Sequence, residues 1–346
     1  MKISETDLAQ IFSVVETTGT LTSATQFLKK KGIAPYSANS WRDFREKRVA
    51  PALEAGSLTR RDLLELVSDC EEYGRQHVFL YKTTKVYASA VVNSDELQAK
   101  LKKIGRLDLL TSPPVLASPE NLTLAEVRLD QMGGSRRALV IKAVKGRIYR
   151  DYLGEKRDGR FITRTYEELE ERAVNVLRIQ DDGFAELRVQ SYQNSGDYTQ
   201  DIESMWSLVA PLVEQIKFGS VPLERARLHL LVNRKQYSSL IRHARSQVRN
   251  DKGTTATLAS SGFQQNLYDD EGAEKALTGF SGVGDIHCDA SNLFWLKGGE
   301  ARPAPSEDIL TRIVGEVNEY NVSSRCSRGD YEYVLEQIRD TIKQAQ

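Results

Sequence analysis

The chain has 346 residues, 40% of them hydrophobic and 28% charged. That composition supports true hydrophobic cores and excludes general disorder, and the length fits two or three domains. Lys plus Arg equals Asp plus Glu at 48 each, which excludes a tail-driven or histone-like polyanion binder but leaves room for a local basic patch.

Residues 1–75 read as a helical module. Ser4, followed three residues later by Asp7, has the spacing of a capping box, and Leu8, Ile11, Phe12 and Val15 then share one helical face. A second helix is expected from about Leu21 to Lys31, stopped at Gly32. A third starts near Asn39, carries Trp41 and Phe44, and is expected to break or restart at Pro51. Thr59 with Asp62 opens a fourth, through Leu63, Leu66, Val67 and Cys70.

The pattern then changes. Residues 77–81 and 86–92 are β-rich, 94–105 look helical, and 108–121, with Pro113, Pro114 and Pro119, reads as loop. Strands are expected at 122–129, 138–144, 173–179 and 184–190. Asp182-Gly183 and Asp158-Gly159 supply hairpin turns, because Asp-Gly between apolar runs suits a tight turn with positive φ. A long helix over 199–217 would bury Trp206, Val209, Leu212, Val213 and Ile216. Further on, a helix is expected at 236–249, short strands at 283–288 and 292–296, and a C-terminal helix at 330–343 carrying Tyr333, Val334, Ile338 and Ile342. Strands in hairpins and helices in blocks predict an α+β fold: an N-terminal helical bundle, then a mostly antiparallel sheet with flanking helices. The expected divisions are 1–75, 76–220 and 221–346.

Three signals carry functional expectations. Residues 21–48 have a helix-turn-helix layout, with Arg42, Arg45, Lys47 and Arg48 on the second helix, as in DNA readers. The turn is long, and Asp43 and Glu46 would repel phosphate; the ordinary alternative is a small helical bundle used for packing or protein contacts. The second signal is basic: residues 222–252 hold eight basic and two acidic side chains, a local net of +6. If 236–249 is helical, Arg242, Arg245 and Arg249 form one stripe, with Arg234 and Lys235 nearby. Such a stripe neutralises phosphates in a salt-dependent, sequence-blind way. The ordinary alternative is a solvated face, or arginines paired with Asp269, Asp270 and Glu271.

The third signal is GDIHCDAS, residues 284–291. On a strand, Asp285, His287 and Asp289 would share a face and offer metal ligands or an oriented base. The outer two would lie ~13 Å apart at ~3.3 Å per residue, too far to chelate one ion without help. Walker A, GxGxxG, HExxH and GxSxG patterns do not occur, so no cofactor or metal is expected. Cys70, Cys288 and Cys326 are far apart and form no CxxC pair, against a disulfide framework or structural zinc. No window approaches ~18 continuous apolar residues and MKISETDLAQ lacks a signal-peptide core, so a cytoplasmic location without a membrane partner is expected.

Together these point to a non-enzymatic DNA- or nucleic-acid-binding or regulatory component of a larger assembly, partnered by nucleic acid and by protein. The alternatives are a protein scaffold without nucleic acid and a metal-dependent hydrolase using Asp285, His287 and Asp289.

Overall fold

The computed structural model describes residues 3–132, 136–193, 196–262, 264–282, 284–298 and 304–346. Helix α1 spans Glu5–Thr18, and the Ser4 hydroxyl accepts the Asp7 N–H at 3.1 Å. Helix α2, Leu21–Lys30, begins at a Thr20–Ser23 capping box and ends before Gly32, which takes φ +70°. Of the two outcomes expected at Pro51, the α-helix restarts there and the chain of helical turns is not broken. Helix α3, Trp41–Phe44, passes through a π turn at Arg45–Val49 into α4, Ala50–Glu54, with Pro51 in its first turn. The wider π turn gives the proline ring the space that a regular α turn would fill with the carbonyl four residues back. Helix α5, Arg60–Glu71, opens at the Thr59–Asp62 capping box.

Strand β1, Gly74–Lys82, follows. Residues 86–92, expected as strand, are helical instead: α6 spans Lys85–Val91. The Thr84 hydroxyl caps it by accepting the Tyr87 N–H, and Ala88 and Val91 are buried one turn apart. The β-branched composition of the segment is overruled by this cap and by the packing of one helical face. Then come α7, Ser94–Lys103; α8, Asp108–Thr111; β2, Thr123–Met132; β3, Arg136–Asp158; β4, Phe161–Gln180; and β5, Phe184–Gln190. Asp158-Gly159 turns β3 into β4 with Gly159 at φ +58°. Gly183, at φ +93°, lies in the turn between β4 and β5.

Helix α9 covers only Thr199–Val209, because Pro211 restricts the residue before it and cannot continue the helix. Ile216, expected in its core face, lies beyond its end and is 88% exposed. The remainder is β6, Gly219–Ser220; α10, Glu224–Val232; β7, Ile241–Asn250; β8, Thr255–Ala259; α11, Glu271–Ser281; β9, Ile286–Trp295; β10, Ile309–Ile313; β11, Glu319–Arg325; and α12, Arg328–Gln344. The two short strands expected at 283–288 and 292–296 are the single strand β9, and Val283 lies outside the described residues. All the strand pairings given by register are antiparallel, and the class is α+β.

The chain divides into two compact units that alternate along it: 1–72, 88–181 and 192–215 form unit 1, and 73–87, 182–191 and 216–346 form unit 2. Unit 1 joins the helical module to the antiparallel ribbon β2–β3–β4. Ile11, Phe12, Val15, Phe27, Leu28, Phe44, Leu63 and Leu66 fill the helical core. Beside it lies a buried ionic cluster. Lys142 Nζ reaches carboxylates of Glu126 at 3.0 Å, Glu71 at 3.1 Å and Glu72 at 3.2 Å. Arg128 pairs with Glu72, Glu126 and Asp130, and Arg172 pairs with Glu71. Burial alone would lower the Lys142 pKa, but Glu126, Glu71 and Glu72 overcome it and raise the value.

In unit 2 the strands run in the order β5–β1–β11–β10–β9–β7–β8, with β6 pairing β1. One face buries Val78, Leu80, Leu293, Trp295, Ile309, Tyr320 and Val322 with α10 and α12, through Leu230, Val334, Leu335 and Ile338. A smaller core gathers Leu231, Val248, Leu267, Leu277 and Cys288. Among the described residues, no helix is long and apolar enough to cross a membrane.

Candidate nucleic-acid interface

The helix expected over 236–249 is not formed: Arg242, Arg245 and Arg249 lie on strand β7, while Arg225 and Arg227 belong to α10. Ile241, His243, Ser246 and Val248 of β7 are buried. The register with β9 steps from His243↔Leu293 to Arg245↔Asn292, which leaves Ala244 as a bulge. That extra residue brings Arg242 onto the same face as Arg245, and Arg249 follows after four residues of ordinary alternation. The spacing i, i+3, i+7 therefore puts these three arginines on one face in a bulged strand as it does in a helix.

This face is half-exposed across β8, β7, β9 and β10. Thr255, Thr257 and Ala259 of β8, with Arg245 of β7 and Arg312 of β10, are exposed, and Gln247, Asn292, Phe294 and Leu310 are partly so. Residue pairing places Arg245 opposite Asn292 and Asn292 opposite Arg312, so the three stand in one row across three strands. At ~4.8 Å per strand the two arginine backbones are about 10 Å apart. The next row is Arg242, Phe294 and Leu310, with the Arg242 guanidinium 4.6 Å from the Phe294 ring centroid.

Two of the three predicted stripe arginines already hold carboxylates. Arg242 pairs with Asp308 at 2.9 Å, and Arg249 with Asp289 at 3.1 Å, a contact that raises the Arg249 pKa through its hydrogen bond. Arg245 and Arg312 have no ion pair among the described residues. Arg234 and Lys235 meet Glu274, at 2.7 Å and 3.1 Å, and not the Asp269, Asp270 or Glu271 anticipated as their partners. In the helical module Arg42 pairs with Glu46, Arg45 lies 3.6 Å from Glu16, and Lys47 pairs with Asp43. Arg48 donates to the Ser37 carbonyl. The basic side chains of the helix-turn-helix layout are thus turned back on their own surroundings.

Asp285, His287 and Asp289 do not converge. The β7–β9 register skips Asp289, so it interrupts the alternation, and its carboxylate is held by Arg249. His287 Nδ1 lies 3.3 Å from Glu224, and the Asp285 N–H donates to Asp251. Among the described residues, no group of three His, Cys, Asp or Glu side chains is arranged to hold a metal ion. Beneath the face, burial lowers the His243 pKa to about 4 and pushes the Cys288 thiol up to about 12, so both are neutral packing groups at pH 7.

Sequence reasoning missed Asn292, Phe294 and Arg312. A strand was expected at 292–296, but which of its faces is open, and that ILTRI is its neighbour, follow only from the partner strands. No protein-family model matches the chain, and no curated protein sequence matches it at a significant level.

Proposed function

We propose that the open sheet face of unit 2 binds single-stranded nucleic acid without catalysis, within a larger assembly. The observation that carries this reading is the Arg245–Asn292–Arg312 row, in which two exposed guanidinium groups without carboxylate partners among the described residues flank an amide. Guanidinium groups grip phosphates bidentately, and an amide can read a base edge. Phe294, one row away and partly exposed, carries the Arg242 guanidinium against its ring and so adds cationic surface beside the path of a strand. A flat face suits an unstacked strand, whereas entry into a duplex groove calls for a projecting helix or ribbon.

The test is fluorescence anisotropy with a labelled oligonucleotide of about 15 nucleotides, read across a salt series. The double variant Arg245→Ala/Arg312→Ala is expected to weaken binding by tenfold or more. It should also lower the slope of log affinity against log salt by about 1.4, at ~0.7 per single-strand phosphate contact. Unchanged affinity and slope would overturn the reading.

A further inference from the structure

Beyond the row Arg147↔Glu171, β3 and β4 continue as a two-stranded arm to the turn at Asp158↔Phe161. It is about 30 Å long at ~3.4 Å per residue. Its side chains are almost all exposed, including Ile148 (74%), Tyr152 (52%), Leu153 (60%), Phe161 (79%), Ile162 (49%) and Tyr166 (48%). Six large apolar or aromatic side chains on a narrow ribbon are more than a solvated hairpin needs. Residues 148–170 hold five basic and six acidic side chains, which disfavours a polyanion on the arm.

We infer that one face of the arm pairs with the same face of a second copy of this chain, tip against stem. Pairing across the ribbon defines that face. Tyr152 stands opposite Tyr166, their ring centroids 5.7 Å apart, at its middle. Toward the stem lie Arg150 opposite Glu168, then Ile148 opposite Glu170. Toward the tip, past the bulge at Leu153, lie Glu155 opposite Arg164, then Arg157 opposite Ile162. Within one arm Arg150 pairs with Glu168 at 2.9 Å and Arg164 with Glu155 at 3.1 Å, so each of these rows presents both signs of charge and the rows complement each other about the tyrosine pair. A two-fold axis through that pair sets β4 against β4 in the opposite direction, bringing Arg164 over the second copy's Glu168 and Glu155 over its Arg150. The outermost quartet then combines Ile148 with the second copy's Ile162 and Glu170 with its Arg157. Alignment tip to tip, with the axis along the strands, keeps complementary inner rows but gathers two Glu170 in one end quartet and two Arg157 in the other, which disfavours it. A face about 30 Å by 10 Å buries well under the ~800 Å² per partner of a standard interface, so the association is weak and concentration-dependent.

The test uses the full chain with Tyr166→Cys as a crosslinking handle, in a Cys326→Ser background that removes the cysteine that is not fully buried. A short bismaleimide crosslinker reads the dimer fraction over a protein concentration series. Dimer yield is expected to rise with concentration, to fall at least fivefold in Arg157→Glu and in Glu170→Arg, and to recover in the double charge swap. A yield independent of concentration, or indifferent to these charges, or not restored by the swap, would overturn the inference. Nucleic-acid affinity is not required for any of these readouts.

Discussion

Lys142 Nζ sits 3.2 Å from the Glu72 carboxylate, which has no solvent exposure, and the same ammonium also contacts Glu71 and Glu126. It ties the end of α5 to the β2–β3 ribbon through charge in a place where apolar contact would be ordinary. Lys142→Met would leave several buried carboxylates short of one counter-ion, and the expected loss of stability is about 3–5 kcal/mol by chemical denaturation. Because the folded Lys142 pKa is raised, its contribution is complete below the unfolded value near ~10.4 and is lost as pH rises through the folded value. A Met variant as stable as the parent would show that Arg128 and Arg172 alone suffice.

His243 supplies the acid-side prediction. Burial, aided by the Arg234 charge, lowers its folded pKa to about 4 from 6.5. The unfolded chain then binds the proton first, so His243 favours folding above pH ~6.5, and this advantage disappears as pH falls toward 4. The change amounts to about 3 kcal/mol. Thermal melts between pH 7 and pH 4 should show that loss, and His243→Phe should flatten the profile.

Gly74 is held at φ +79° against β11, where an added Cβ would fall 2.0 Å from the Ser324 carbonyl oxygen. Both the conformation and the space exclude a side chain. Gly74→Ala is expected to cost more than about 2 kcal/mol, measured by denaturant titration. Gly32→Ala, also at positive φ but with open space around it, should cost less.

Asp308 and Asp289 neutralise two arginines on the proposed binding face. Asp308→Asn and Asp289→Asn should each raise oligonucleotide affinity a few-fold at low salt, an effect that vanishes as salt rises. Weaker binding in both variants would mean that the acids position their arginines for the ligand.

The helical module was legible because its signals are local. Ser4, Thr59 and Gly32 cap or terminate helices within a few residues, and the structure places them at helix ends as expected. The Asp158-Gly159 turn was legible for the same reason. Residues 236–249 were misread because one bulge at Ala244 gives a strand the spacing of a helix, and only β9 as a neighbour separates the two. Residues 86–92 were misread because their composition suits a strand while their packing suits a helix. At the candidate site, the three stripe arginines were identified on one face for the wrong secondary structure. The carboxylates that occupy two of them come from Asp289 and Asp308, about 40 and 66 residues further along, a relation that local pattern cannot carry.

The alternation of the two units along the chain has a consequence for synthesis. β1 finds one neighbour in β5 and the other in β11, roughly 250 residues downstream. At about 5–20 residues per second a ribosome takes some 12–50 seconds to cover that distance. Through that interval a strand with the apolar core VFLY has an open edge, a period in which a chaperone or early association with another molecule would protect it from aggregation.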